Sequence, residues 1–103
     1  MSTLCNPCFA SWNVRGLGRA EKRRAVKRLI SKIKASLIFI QETMLESHKL
    51  WLLRRLWPSR SGCLVASPAE GSSGGLVTLW DGSVFEVESS NIQSRFILVT
   101  GTI

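Results

Sequence analysis

Hydrophobic and polar positions alternate with three different rhythms along the chain. From Phe9 to Val14 an apolar run is broken only at Ser11 and Asn13, which predicts a strand. Arg15, Gly16, Leu17 and Gly18 follow as a loop with glycines at its tight points. From Ala20 the rhythm becomes helical. Ala25, Val26, Leu29, Ile30 and Ile33 recur at offsets of one, three and four and share a stripe, predicting a helix from about Ala20 to Lys34. Lys22, Arg23, Arg24, Lys27, Arg28 and Lys32 occupy the rest of that cylinder. Leu37 to Ile40 predicts a buried strand that runs out into Gln41 and Glu42. Ser47 has the chemistry of an N-cap for a second helix reaching Leu56, with Trp51, Leu52, Leu56 and Trp57 inward and Pro58 as its stop. The remainder reads as strands at Cys63–Ala66, Leu76–Trp80, Val84–Val87 and Phe96–Thr100. A Gly/Ser-rich loop lies between Pro68 and Gly75, and Asp81-Gly82 signals a hairpin. Strands alternating with helices predict an α/β fold.

Composition narrows the class. At 103 residues, 45% hydrophobic and 20% charged, the chain has the apolar content of one packed domain, so disorder by composition is excluded. There is no run of 18 apolar residues, so no transmembrane helix is expected. The opening MSTLCNPCFA lacks a basic segment ahead of an apolar one and does not read as a secretory leader. Three cysteines cannot close a disulfide framework. Cys5 and Cys8 form a C-x-x-C pair whose only further zinc-ligand candidates are Cys63 and His48, so two reduced thiols are expected. Residues 1–8 are read as a tail and 9–103 as the domain. The net charge of +7 is unevenly placed: residues 1–60 carry +10 and residues 61–103 carry −3. A polyanion-binding surface and a solvated helix face explain this equally well, and membrane-surface or calmodulin-type binding also stays open.

Two positions carry candidate chemistry. Asn13 ends the first strand and Glu42 follows the second, with a helix between. Parallel strands in such a unit end on the same sheet edge, which brings an amide and a carboxylate together in a basic neighbourhood. Mg²⁺ takes oxygen ligands, commonly one or two carboxylates completed by water and substrate phosphate. The plainer readings are a strand-end cap for Glu42 and a turn former for Asn13.

The strings SWNVRGLG, KRRAVKRLI and LIFIQET, followed by GSSGGLVTLWDGSVFEV and RFILVTGTI, resemble the endonuclease/exonuclease/phosphatase superfamily of DNase I-like fold. Within it they look most like plant LINE-type non-LTR retrotransposon endonucleases. The resemblance implies a Mg²⁺-dependent phosphodiesterase whose two packed sheets are flanked by helices. It implies that Asn13 positions the metal or the scissile phosphate, that Glu42 ligates the metal, and that Gln41 is structural. DNA is the implied partner and the nucleus the implied place of action. Arg15, Arg19, Lys22 and Arg23, in the loop and at the start of the helix, are the expected DNA contacts. Ser36 and Met44 stand where this subgroup commonly has Asp and Lys. The family's Asp-x-Asn pair, a further Asp and a Ser-Asp-His segment follow later than Ile103, and neither Asp81 nor His48 replaces them. The expectation is therefore a partial DNase I-like sandwich, one mixed sheet with two helices, inactive alone. Leu37–Ile40, Leu76–Trp80 and Phe96–Val99 would share that sheet, and its uncovered apolar face would drive self-association. A non-catalytic nucleic-acid-binding or partner-binding module is the alternative.

Overall fold

A period-two pattern in four strands and a helical stripe between the first two lay the core down between a sheet and two helices. The computed structural model describes residues 7–71 and 73–102. In chain order these form β1 (Phe9–Asn13), α1 (Ala20–Ile33), β2 (Leu37–Gln41), a 3₁₀ helix (Ser47–Arg55), β3 (Gly62–Ser67), β4 (Leu76–Asp81), β5 (Glu86–Ile92) and β6 (Ile97–Thr102). The main sheet has the order β1-β2-β4-β3. β1 runs parallel to β2, as a connection through a helix allows, and β4 is antiparallel to both β2 and β3. The fold is α/β with a mixed sheet, as the strand and helix rhythms predict.

Register decides which residues share a face. Trp12 pairs with Ile40, Ile40 with Val77, and Ile38 and Leu64 with Leu79. These side chains pack against Val26 and Ile30 of α1 and against Leu53 and Leu56. The opposite face begins with Phe9, Ser11 and Phe39 near β1 and β2 and carries Thr78 and Trp80 on β4.

α1 ends one residue earlier than its stripe predicts. Lys34 takes a left-handed conformation (φ 52°). Its N–H donates to the Ser31 carbonyl, and the Ala35 N–H donates to the Ile30 carbonyl. This is a Schellman cap with lysine in the place that usually favours glycine. Ile33, the last residue of the stripe, is left partly exposed.

The second helix differs more. It is a 3₁₀ helix, its N-cap position is Glu46 rather than Ser47, and no side chain caps it. With three residues per turn, positions three apart stack in rows. Leu50, Leu53 and Leu56 form the inward row, while His48, Trp51 and Arg54 form an outward one. Trp51, expected inward from α-helical spacing, is therefore 66% exposed.

The C-terminal strands also depart from expectation. Val84 and Phe85 N–H groups both donate to the Asp81 carbonyl, so the chain does turn at Asp81-Gly82. The following strand does not fold back on β4, however. β5 begins at Glu86 and pairs only with β6, making a separate two-stranded sheet. The segment Phe96–Val99 thus leaves the main sheet, and the hairpin lies against β3 and β4. There Phe96 and Ile97 line a hollow with Thr78, while Phe9 and Phe39 at the β1–β2 end stay 54% and 40% exposed. The second layer is begun rather than absent. Among the described residues no helix is long and apolar enough to cross a membrane. The Cys5–Cys8 pair falls partly outside the described residues, because Cys5 is not among them.

Candidate functional site

The parallel register places Asn13 directly beside Gln41, so Asn13 and Glu42 emerge at the same sheet edge. Pairing continues past the strands. The Val14 N–H donates to the Gln41 carbonyl at 3.1 Å, Gly16 to Glu42 at 2.7 Å and Leu17 to Thr43 at 2.9 Å. On the other side Thr43 donates to the Gly75 carbonyl at 3.1 Å and Met44 to Gly74 at 2.8 Å. The segment 42–44 is therefore clasped between the Arg15–Gly18 loop and the Gly74–Gly75 turn ahead of β4. The Gln41 amide donates to the Ser11 hydroxyl at 3.0 Å, which ties it to the sheet.

This clasp bends the backbone. Arg15, Glu42 and Met44 all have left-handed φ values, of 53°, 56° and 56°. Each non-glycine residue in that region costs about 1–2 kcal/mol. Three of them on one edge mean that the surrounding hydrogen bonds impose the shape. Gly75 shows how tightly. It lies at φ +94°, and a Cβ there would collide with the Thr43 hydroxyl oxygen. Thr43 itself is fully buried, its hydroxyl accepting from the Leu45 N–H at 3.3 Å. Thr43, Gly74 and Gly75 shape the edge, although by sequence the two glycines belong to a Gly/Ser-rich loop. Their signal was a Gly-Gly pair directly ahead of an apolar run.

Glu42 is half-buried and Asn13 exposed. Among the described residues no three His, Cys, Asp or Glu side chains gather to hold a metal ion. A carboxylate and an amide on one sheet edge are oxygen donors of the kind Mg²⁺ takes. Of the expected DNA contacts, Arg15 and Arg19 are exposed at the loop and the helix start, and Lys22 is half-buried. Arg23 is committed elsewhere: its Nη1 donates to the carbonyls of Leu17 and Gly18, each at 2.9 Å, and so fixes the loop. Asp81, remote in sequence from this edge, accepts from the Ser83 hydroxyl at 2.6 Å and from the Ser83 N–H at 2.9 Å. Chiefly through that hydroxyl, its carboxyl is held below the ordinary value. It caps its own turn.

The fold is shared with solved structures. An AP endonuclease from Leishmania major matches with TM-score 0.61 and 23% identity, covering 75% of this chain and 24% of that one. An AP endonuclease from Archaeoglobus fulgidus matches with TM-score 0.67 and 18% identity, covering 88% and 35%. A 3′ phosphatase from Neisseria bound to a product DNA hairpin matches with TM-score 0.63 and 17% identity, covering 88% and 36%. The chain thus spans between 24% and 36% of the length of these structures. No curated protein matches the sequence. The model of the endonuclease/exonuclease/phosphatase family matches residues 10–102. From its first strand to its last described residue, the chain belongs to that family.

Proposed function

We propose that the chain carries part of a Mg²⁺-dependent DNA phosphodiesterase site of retrotransposon-endonuclease type. The observation that supports it is Glu42, in a costly left-handed conformation with its carbonyl held by the Gly16 N–H and the next two residues held by Gly74 and Gly75, and set on the same edge as Asn13. Glu42 is the carboxylate that would hold the cation, and the Asn13 amide would face a phosphate oxygen. The cation supplies positive charge against the phosphate. Arg15, Arg19 and Lys22 retain the DNA backbone by charge, and Arg23 keeps the loop in shape. Among the described residues no three His, Cys, Asp or Glu side chains gather, and in this reading Asn13 and Glu42 orient a phosphodiester without activating water. The 103 residues alone therefore bind DNA and do not cut it. The retrotransposon subtype is supported by the strings around Asn13, Glu42 and Trp80-Asp81, and it makes nuclear DNA the substrate.

Calorimetry and plasmid nicking test this reading. Mg²⁺ should bind the wild type at about 1 mM or weaker and not bind Glu42→Gln. Supercoiled plasmid should stay intact with Mg²⁺ present. Equal Mg²⁺ binding by both proteins would remove Glu42 from the site, and nicking that Glu42→Ala abolishes would overturn the inactivity. A second reading, self-association through the open face around Phe9, Phe39 and Phe96, is favoured by the exposure of all three rings.

A further inference from the structure

A second cationic surface lies away from the strand ends, between α1 and the 3₁₀ helix. Two adjoining hollows of about 320 and 450 Å³ share Arg23, Leu52 and Arg55 as walls. Arg23, Arg24 and Lys27 line them from α1, and Trp51, Arg54 and Arg55 from the 3₁₀ helix; no acidic residue lines either hollow. The period-three winding creates this surface. It turns the leucine row inward and leaves Trp51, the most exposed large apolar residue among those described, on the outer row with Arg54.

We propose that this groove binds single-stranded nucleic acid, with the guanidinium groups on phosphates and Trp51 stacked on a base. Three features choose that occupant. The charge is uniformly positive, so the ligand is a polyanion. Arg23 is held on the Leu17 and Gly18 carbonyls, and of the other four cations, Arg24, Lys27, Arg54 and Arg55, three are arginines, whose planar forks match phosphate oxygens in pairs. An exposed indole beside them offers a face to an unpaired base, which duplex DNA keeps stacked internally and an acidic peptide lacks. The cations also repeat along α1. Arg24 and Arg28 are separated by about 6 Å of helix rise, the order of spacing between successive phosphates of an extended strand, and Arg28 continues the surface beyond Lys27. The proposal is independent of the Glu42 edge and of any metal.

The test is fluorescence anisotropy of a labelled oligothymidylate of about 12 nucleotides, a length within the site sizes of such surfaces. It uses the whole chain in EDTA, which removes the Mg²⁺-dependent part of binding at the Glu42 edge, and Arg15→Ala with Arg19→Ala, which should leave most of the oligothymidylate affinity, measures what that edge binds by charge alone. With four phosphate contacts, log K should fall with log salt at a slope of about −3. Arg24→Glu combined with Arg55→Glu should weaken binding at least tenfold and reduce the slope by about half. Trp51→Ala should weaken binding about tenfold without changing the slope, and Trp51→Phe should retain most of it. All three positions are exposed or at the helix surface, so circular dichroism should show unchanged folding. Unchanged affinity in the charge-reversed or the Trp51→Ala protein would overturn the proposal. So would tighter binding to a duplex of the same length, to polyglutamate, or to phosphatidylserine vesicles.

Discussion

At the scale of single residues the edge of the sheet is shaped by a conflict between side-chain type and backbone angle. Glu42 occupies a conformation that asparagine or glycine adopts more cheaply; its carbonyl accepts from the Gly16 N–H, and the Thr43 and Met44 that follow it donate to Gly75 and Gly74. Removing the restraint should release the strain. Gly75→Ala combines a φ of +94° with a collision against Thr43, so it should destabilise the protein by at least about 2 kcal/mol. Chemical denaturation gives the stability loss, and reduced Mg²⁺ binding should accompany it. Asp81 yields a pH prediction of definite sign. Its folded pKa lies below the unfolded value of about 3.9, so the Ser83 hydrogen bonds contribute stability fully above that pH and lose it as pH falls through the folded pKa. Ser83→Ala should raise the Asp81 pKa in a carboxyl NMR titration and weaken that part of the acid dependence. An unchanged titration would remove the hydroxyl as the cause.

At the scale of elements, what the sequence shows depends on whether neighbours override local pattern. α1 is legible because Val26 and Ile30 sit on the buried side of a strong stripe, and its N-terminal boundary falls at Ala20 as read. Its C-terminus is governed instead by a left-handed Lys34, which no propensity announces. Lys34→Gly should stabilise the helix end by about 1 kcal/mol, measured as a raised midpoint in urea; a fall would show that the lysine side chain contributes more than its backbone costs. The second helix is legible in position and not in winding. Leu50, Leu53 and Leu56 fit a three-residue row, but Trp51 and Leu52 with Leu56 fit an α-helical face equally well, and only packing on the core chooses. The parallel pairing of β1 with β2 follows from the helix between them. The pairing of β5 does not follow from Asp81-Gly82, because a turn signal specifies a reversal and not the strand that receives it. The same limit hid the site's second support: Asn13 and Glu42 could be placed on one edge from the β–α–β connection alone, whereas the role of Gly74 and Gly75 depends on β4 lying antiparallel to β2.

At the scale of the molecule, one sheet face is sealed by helices and the other only half covered by the β5–β6 hairpin. Phe9, Phe39 and Phe96 leave ring area in water, at a cost of about 25 cal/mol for each Å² left unburied. A second copy covering them should appear as a concentration-dependent rise in mass by light scattering, weakened by Phe39→Ser; a monomer at all concentrations would argue against it. The clasp on Glu42 also has a consequence in time. One half comes from the loop 14–18, which arrives before β2 during synthesis. The other half comes from Gly74 and Gly75, which arrive about thirty residues later. Until β4 docks, the Gly75 and Gly74 carbonyls that accept from Thr43 and Met44 are not in place beside Glu42. The edge is thus complete only once β4 has paired with β2.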